Sequence, residues 1–315
     1  MTNHSPIPSP VIPLTPDITF REFYDIYLQD ARVRLKPATL ISKQRIFSQK
    51  ILPFFGSMPM NQISVAHVRK WQTIILRQNY SVSYQQLIDL QLSAIMRYGE
   101  HYYDFPNPCK KAGHIGNSHA KSFRFWTLED YERFISCYSN DPEAFTAFEL
   151  LYWTGMRQGE LLALTPDDLD TARHQIYITK TYSRIDGKDV ISTPKTRRST
   201  RAVSIPHFLQ NELLLYIRQN GIKPNQRLFD HTHYYLFYKL RNGCAASGAP
   251  LIRIHDIRHS HVSLLINAGF SALDIAERVG HESVSTTLNT YAHLFPAQQK
   301  RLSERLNELH AELEQ

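Results

Sequence analysis

Seven side chains in four short stretches have the types and spacing to hold a phosphate and react with it. In Thr154-Gly-Met-Arg-Gln-Gly-Glu, Gly155 breaks one helical pattern and Arg157 falls at the start of the next. Backbone N–H groups at a helix start already favour an anion. Glu160, three residues on, can brace that turn or the guanidinium. In Thr193-Pro-Lys-Thr-Arg-Arg-Ser-Thr-Arg, Lys195 stands at the tip of a basic hairpin among small hydroxyl residues. From there an ammonium can reach into a groove and touch a phosphate or a leaving oxygen. In His255-Asp-Ile-Arg-His-Ser-His, His255 and Arg258 are three apart and share a helix face, a pair able to grip two oxygens of one phosphate. His255 and His259 also have zinc-ligand spacing, yet no Cys lies nearby and no Glu of the motif is placed as a hydrolytic base, so no metal is expected. Finally, Val279-Gly-His-Glu sets His281 in a turn, and Tyr291 follows ten residues later. Each stretch alone has a plainer reading. Arg157 could pair with its own helix, Lys195 could sit on an exposed turn, and Tyr291 could be a core aromatic.

Their succession narrows the choice. Arg157 with Glu160, Lys195, His255 with Arg258, His281 and then Tyr291 resembles the tyrosine recombinase (phage integrase) family. The resemblance covers about residues 123–296 and, more loosely, the helical region before them. It implies site-specific cleavage and rejoining of DNA through a 3′-phosphotyrosyl enzyme, with Tyr291 as nucleophile. Arg157 and Arg258 would each offer a planar fork of donors to the phosphodiester. His255 would be the base, His281 a hydrogen-bond donor to the scissile phosphate, and Lys195 the general acid on the departing 5′ oxygen. Two fixed guanidinium groups can stabilise the charge of phosphoryl transfer, so neither cofactor nor metal is expected. Consistent with that chemistry, the sequence has no nucleotide-binding G-x-x-x-x-G-K-[ST] run. A metal-dependent hydrolase and a catalytically silent DNA-binding regulator of the same fold are the rival classes.

The elements that must position these residues are mainly helical. Residues 1–17 read as a Pro-rich leader without regular structure, and no signal peptide is apparent in them. Phe20, Phe23, Tyr24 and Tyr27 then recur with helical period. Further helices are expected over Pro37–Phe55, Val65–Arg77 and Ser83–Tyr103. These make residues 18–104 a helical, SAM-like core-binding domain in the family's terms. The breaker-rich stretch 105–122 reads as a linker. Thr127 with Asp130 marks a helix start, with helices following at 142–153 and 157–164. Alternation through Ile176, Ile178, Val190, Ile191, Ala202, Val203 and Ile205 predicts a short antiparallel sheet. Helices return from Pro206, with breaks near 220–232, 242–250, 269–271 and 280–283. The fold class is thus mainly α with a small antiparallel sheet, and the resemblance implies two domains closing as a C-shaped clamp. In the tail, 297–315, Leu302, Leu306, Leu309 and Leu313 form one apolar stripe. The resemblance makes it a segment exchanged between protomers, and packing on its own domain is the alternative.

Charge names the partner class. The 315 residues hold 36 Lys and Arg against 29 Asp and Glu, a net +7, and residues 171–203 alone carry +6 of it. Such an excess suits double-stranded DNA. Lys43, Arg45, Lys110, Lys111, Arg197, Arg198 and Arg201 are the candidate DNA contacts. Within the family, that implies recombination sites bound by a homo-tetramer, from a monomer or weak oligomer when free, with accessory DNA-bending or excision factors. No apolar run is long enough for a membrane span, and three widely spaced Cys fit a reducing cytoplasm, nucleoid-associated when DNA is bound. The hairpin around Lys195 lacks the Gly-Lys-Gly of Xer-type resolution recombinases, which favours a mobile-element integrase. Against that, about 17 irregular residues before the first helix are too few for the arm-binding domain of many integrases.

Overall fold

Thr19 starts the first helix with a capping box: its hydroxyl accepts the Glu22 N–H, and the Glu22 carboxylate accepts the Thr19 N–H at 2.9 Å. The computed structural model describes residues 17–116, 124–194, 196–291 and 298–313. Residues 1–16 of the expected leader, 117–122 of the expected linker, and Lys195 therefore lie outside the described residues. Two compact units, residues 1–121 and 122–315, make up the chain.

The first unit contains α1 (Phe20–Arg34), α2 (Pro37–Ile46), α3 (Leu52–Phe55), α4 (Val65–Leu76), α5 (Val82–Tyr103) and α6 (Cys109–Ala112). Its core is aromatic, with Phe23 packing edge-on against Tyr103 and Phe105, each at 5.4 Å between ring centres. The helix expected over Pro37–Phe55 is not continuous. A π-helical turn, Phe47–Ile51, separates α2 from α3, and the Leu52 N–H reaches back to the Phe47 carbonyl. Pro53 follows directly and has no N–H to continue an α-helical ladder. The expected linker also begins differently. Phe105, Cys109, Ala112 and Ile115 are buried in the core of this unit. Gln72 secures the segment, donating to the Gly113 carbonyl at 2.7 Å and to Asp89 at 2.9 Å. Pro and Gly in this stretch break helices, but its apolar residues still find the core.

The second unit opens with Trp126, whose backbone N–H donates to Ser260 Oγ at 2.9 Å and whose indole donates to the Pro250 carbonyl at 2.7 Å. Next come α7 (Leu128–Ser136), begun by the Thr127–Asp130 capping box, α8 (Pro142–Thr154) and α9 (Gln158–Leu161). Strands β1 (Leu169–Asp170), β2 (Gln175–Ile178), β3 (Thr181–Ile185), β4 (Lys188–Ser192) and β5 (Arg201–Ser204) follow. They form two antiparallel sheets rather than one. One has the order β1-β2-β5, with Ile176 opposite Val203; the other is the β3–β4 ribbon, with Tyr182 opposite Ile191. Ile176, Ile178 and Val203 are buried as their alternation predicts, whereas Ile191 is 47% exposed. A two-stranded ribbon has too little backing to bury both faces.

The helices that follow are α10 (His207–Gln219), α11 (His233–Ser247), α12 (Ile254–Asn267), α13 (Ala272–Val279), α14 (Val284–Tyr291) and α15 (Gln298–Leu313). Helix α11 runs through the break expected from residue 242 and stops only at Gly248, a left-handed cap. On α15, Leu306 of the apolar stripe is exposed. No helix among the described residues is long and apolar enough to cross a membrane.

Candidate active site

Two left-handed glycines bring the site together. Gly155 (φ +65°) ends α8, and a Cβ there would lie 2.5 Å from the His261 ring. Gly280 (φ +69°) ends α13, and a Cβ there would lie 2.9 Å from the Arg198 carbonyl oxygen. Neither turn tolerates a larger residue without movement. Arg258, near the start of α12, is buried and spans both turns: Nη1 donates to the Gly155 carbonyl at 2.8 Å, and Nη2 donates to that of Val279. Arg157 caps α9 and points to the same place, with Nη2 3.5 Å from the Gly280 carbonyl. Burial first, and then Arg157 and Arg201, lower the pKa of the Arg258 guanidinium. It starts so high that the group stays charged.

Glu160 is the brace. Its carboxylate accepts from the Arg157 N–H and from Arg157 Nη1, both at 2.8 Å, and from Arg201 Nη2 at 3.0 Å. Burial pushes the carboxyl pKa up, but the two guanidinium groups, Arg201 foremost, outweigh it and hold the value below the ordinary range. A depressed folded pKa means stabilisation that is present above the unfolded value, about 4.3, and is lost as pH falls through the folded one. Glu160→Gln should therefore cost about 3–5 kcal/mol in urea unfolding at pH 7, because two cations lose their buried partner. The gap to the wild type should shrink as pH drops below the carboxylate range. A gap independent of pH would remove the ion pair as its cause.

Three further groups complete the cluster. His255, on the first turn of α12, is exposed, and its pKa is lowered by the protein around its base and then by Arg258 and Arg157. His281 follows the Gly280 turn, with Nδ1 2.8 Å from Thr287 Oγ1. Burial and then Arg258 pull its pKa down to about 4, so the ring is neutral at pH 7. Tyr291, at the end of α14, is 1% exposed and packs against Val262, Ile266, Ile275 and Val279. Burial raises its hydroxyl pKa, against the opposing pull of Arg258. The Tyr291 hydroxyl is hydrogen-bonded to His259 Nδ1, a partner the sequence reading did not assign. Its signal in the sequence is the i, i+4 spacing from His255, a spacing that zinc ligands also use. Among the described residues no cluster of three His, Cys, Asp or Glu side chains could hold a metal ion.

The candidate DNA contacts divide. Arg45, Lys111 and Arg198 are exposed, and Lys110 is exposed while paired with Glu100 at 2.6 Å. The Arg197 side chain and all of Lys195 lie outside the described residues. Two expectations are corrected. Lys43 is buried, donating to the Tyr27 hydroxyl at 2.7 Å and to Gln91 at 2.8 Å, and burial lowers its pKa to about 8. Arg201 has a side chain only 6% exposed, committed to Glu160 and to the Arg278 carbonyl. Both charges are engaged by partners inside the protein.

Residues 124–298 match the phage integrase family, and residues 19–76 match the phage integrase N-terminal SAM-like domain. The chain therefore belongs to the phage integrase family of tyrosine recombinases, enzymes of site-specific DNA strand exchange through phosphotyrosyl chemistry. It is similar to the ICEBs1 integrase of Bacillus subtilis (strain 168), at 30% identity over 313 residues, 93% of this chain and 83% of that protein. A putative prophage phiRv2 integrase of Mycobacterium tuberculosis (strain CDC 1551 / Oshkosh) is 26% identical over 315 residues, 93% of this chain and 79% of that protein. In fold, the chain resembles the Tn1549 transposon integrase in complex with transposon right end DNA, with a TM-score of 0.76 at 20% identity, over 91% of this chain and 100% of that one.

Proposed function

We propose that this recombinase integrates and excises a mobile element, with Tyr291 as the group that breaks and remakes the phosphodiester. The observation that carries the chemistry is the anchoring of Arg157 and Arg258 on the two glycine turns, in a cluster that ends at Tyr291. Two forks of donors held there suit a phosphodiester, whose non-bridging oxygens gain charge during transfer. Tyr291 attacks the phosphorus and becomes the 3′-phosphotyrosyl link, Lys195 protonates the departing 5′ oxygen, and His281 donates to the phosphate. A histidine of α12 takes the tyrosine proton, and the family resemblance points to His255. The link conserves the phosphodiester energy, so rejoining needs no ATP.

Similarity to integrases of a mobile element and of a prophage supports integration and excision as the biological use. Residues 18–104 would grip the duplex as the second jaw of a clamp, and Arg45, Lys110, Lys111, Arg197 and Arg198 would neutralise its phosphates. Four copies would assemble on paired sites from monomers or weak oligomers, each lending the leucine stripe of α15 to a neighbour, with accessory factors setting direction. The test uses nicked suicide duplexes, enriched from a randomised pool by covalent capture on the wild-type chain in EDTA. A denaturing gel should show a protein–DNA adduct, and mass spectrometry should place the nucleotide on Tyr291. Loss of the adduct in EDTA, or its location on another residue, would sink the proposal.

A further inference from the structure

We propose that His259, rather than His255, accepts the hydroxyl proton of Tyr291 as the tyrosine attacks phosphorus; this rests on the reading of Tyr291 as nucleophile. The geometry carries it. His259 lies one turn beyond His255 on α12, and its Nδ1 is already hydrogen-bonded to Tyr291 Oη, 32 residues away in sequence. The two rings are tilted against each other at 5.5 Å between centres. The His255 ring stands perpendicular to that of His259 at 5.4 Å. A phenol at neutral pH is a donor in such a bond, so Nδ1 must present its lone pair and the proton of the neutral ring sits on Nε2.

The surroundings keep the ring in that state. Burial first, and then His255, lower its pKa to about 4. Arg253, which caps α12, and Arg258 within it push the same way, while Asp256 opposes them. Across the cluster, His281 from the turn after α13 and Tyr291 from α14 are titratable groups that also interact with it. An uncharged acceptor is thus poised on the nucleophile before DNA arrives. A phosphodiester seated on Arg157 and Arg258 brings negative charge, which offsets the cations that disfavour an imidazolium.

The step balances. The Tyr291 Oη–phosphorus bond forms, the bond from phosphorus to the 5′ oxygen breaks, and the tyrosine proton moves to His259 Nδ1. In the reverse direction the same proton returns as the 5′ hydroxyl displaces the tyrosine. His255, the more exposed ring, is then available to bind a phosphate oxygen.

The experiment measures single-turnover adduct formation on the captured suicide duplexes. His259→Ala and His259→Gln should each slow it by about 100-fold or more, the scale of a lost general base. DNA affinity and melting temperature should hold near wild type. Added imidazole should accelerate His259→Ala, which has space for it, and not His259→Gln. With a 5′-bridging phosphorothiolate, whose leaving group needs no acid, Lys195→Ala should recover and His259→Ala should stay slow. Wild-type rates in both His259 variants would overturn the proposal, as would imidazole rescue of His255→Ala instead. Slow variants that imidazole does not accelerate would reduce His259 to packing around Tyr291 and overturn it too. An adduct absent from Tyr291 in the wild type would instead count against the nucleophile assignment.

Discussion

Tyr291→Phe is expected to give no covalent adduct on any suicide duplex, while binding the same DNA as tightly as the wild type. Phenylalanine keeps the ring that fills the pocket of Val262, Ile266, Ile275 and Val279, so the local packing survives. What disappears is one oxygen, the atom that would become the phosphotyrosyl link. The hydrogen bond to His259 goes with it, at a cost of about 1 kcal/mol for a neutral pair. Urea unfolding should therefore show a small loss beside a complete loss of cleavage. Residual adduct on this variant would mean that another residue attacks. A collapse in stability would mean that the hydroxyl is mainly structural.

Arg258→Ala should lower adduct formation by about 10³-fold or more, since loss of even one donor to a developing oxyanion typically costs 10²–10³. Unlike Tyr291→Phe, this change should also loosen the fold. The guanidinium joins the carbonyls of Gly155 and Val279, which end α8 and α13, and both acceptors are orphaned when it goes. About 2–4 kcal/mol of stability is at stake from buried groups left unsatisfied. Arg258→Lys separates the two effects. An ammonium restores the charge but cannot reach two carbonyls and a phosphate with one planar fork. Its expected signature is partial recovery of stability with little recovery of rate. Near-normal cleavage by Arg258→Lys would show that position and charge suffice and that the fork is dispensable.

The overlap of function and scaffold at Arg258 shows where sequence reading works and where it stops. Helix positions were legible wherever apolar residues kept a 3.6 period, as in Phe20, Phe23, Tyr24 and Tyr27, because that face has to be buried. Capping at Thr127 was legible because a hydroxyl and a carboxylate three residues apart act locally. The π turn before Pro53 was not. The buried Phe47, Ile51 and Phe55 across it recur every four residues, a spacing that an unbroken α-helix also gives.

The sequence by itself determined the family and the reaction class, since Arg157, Lys195, His255, Arg258, His281 and Tyr291 are few, chemically distinctive and strictly ordered. Tertiary structure alone decided which charges are spent inside the protein. In the chain Lys43 and Arg201 look like any other cations, yet one lies among Tyr27 and Gln91 and the other against Glu160. The same holds for the choice between His255 and His259. Both lie on one face of α12, and only the packing of Tyr291 among Val262 and Ile266 of α12 and Ile275 and Val279 of α13 brings its hydroxyl to the second ring. Residue type and spacing are local and can be read along the chain. Burial and hydrogen-bond partnership are long-range, and they are settled only when distant segments compete for the same space.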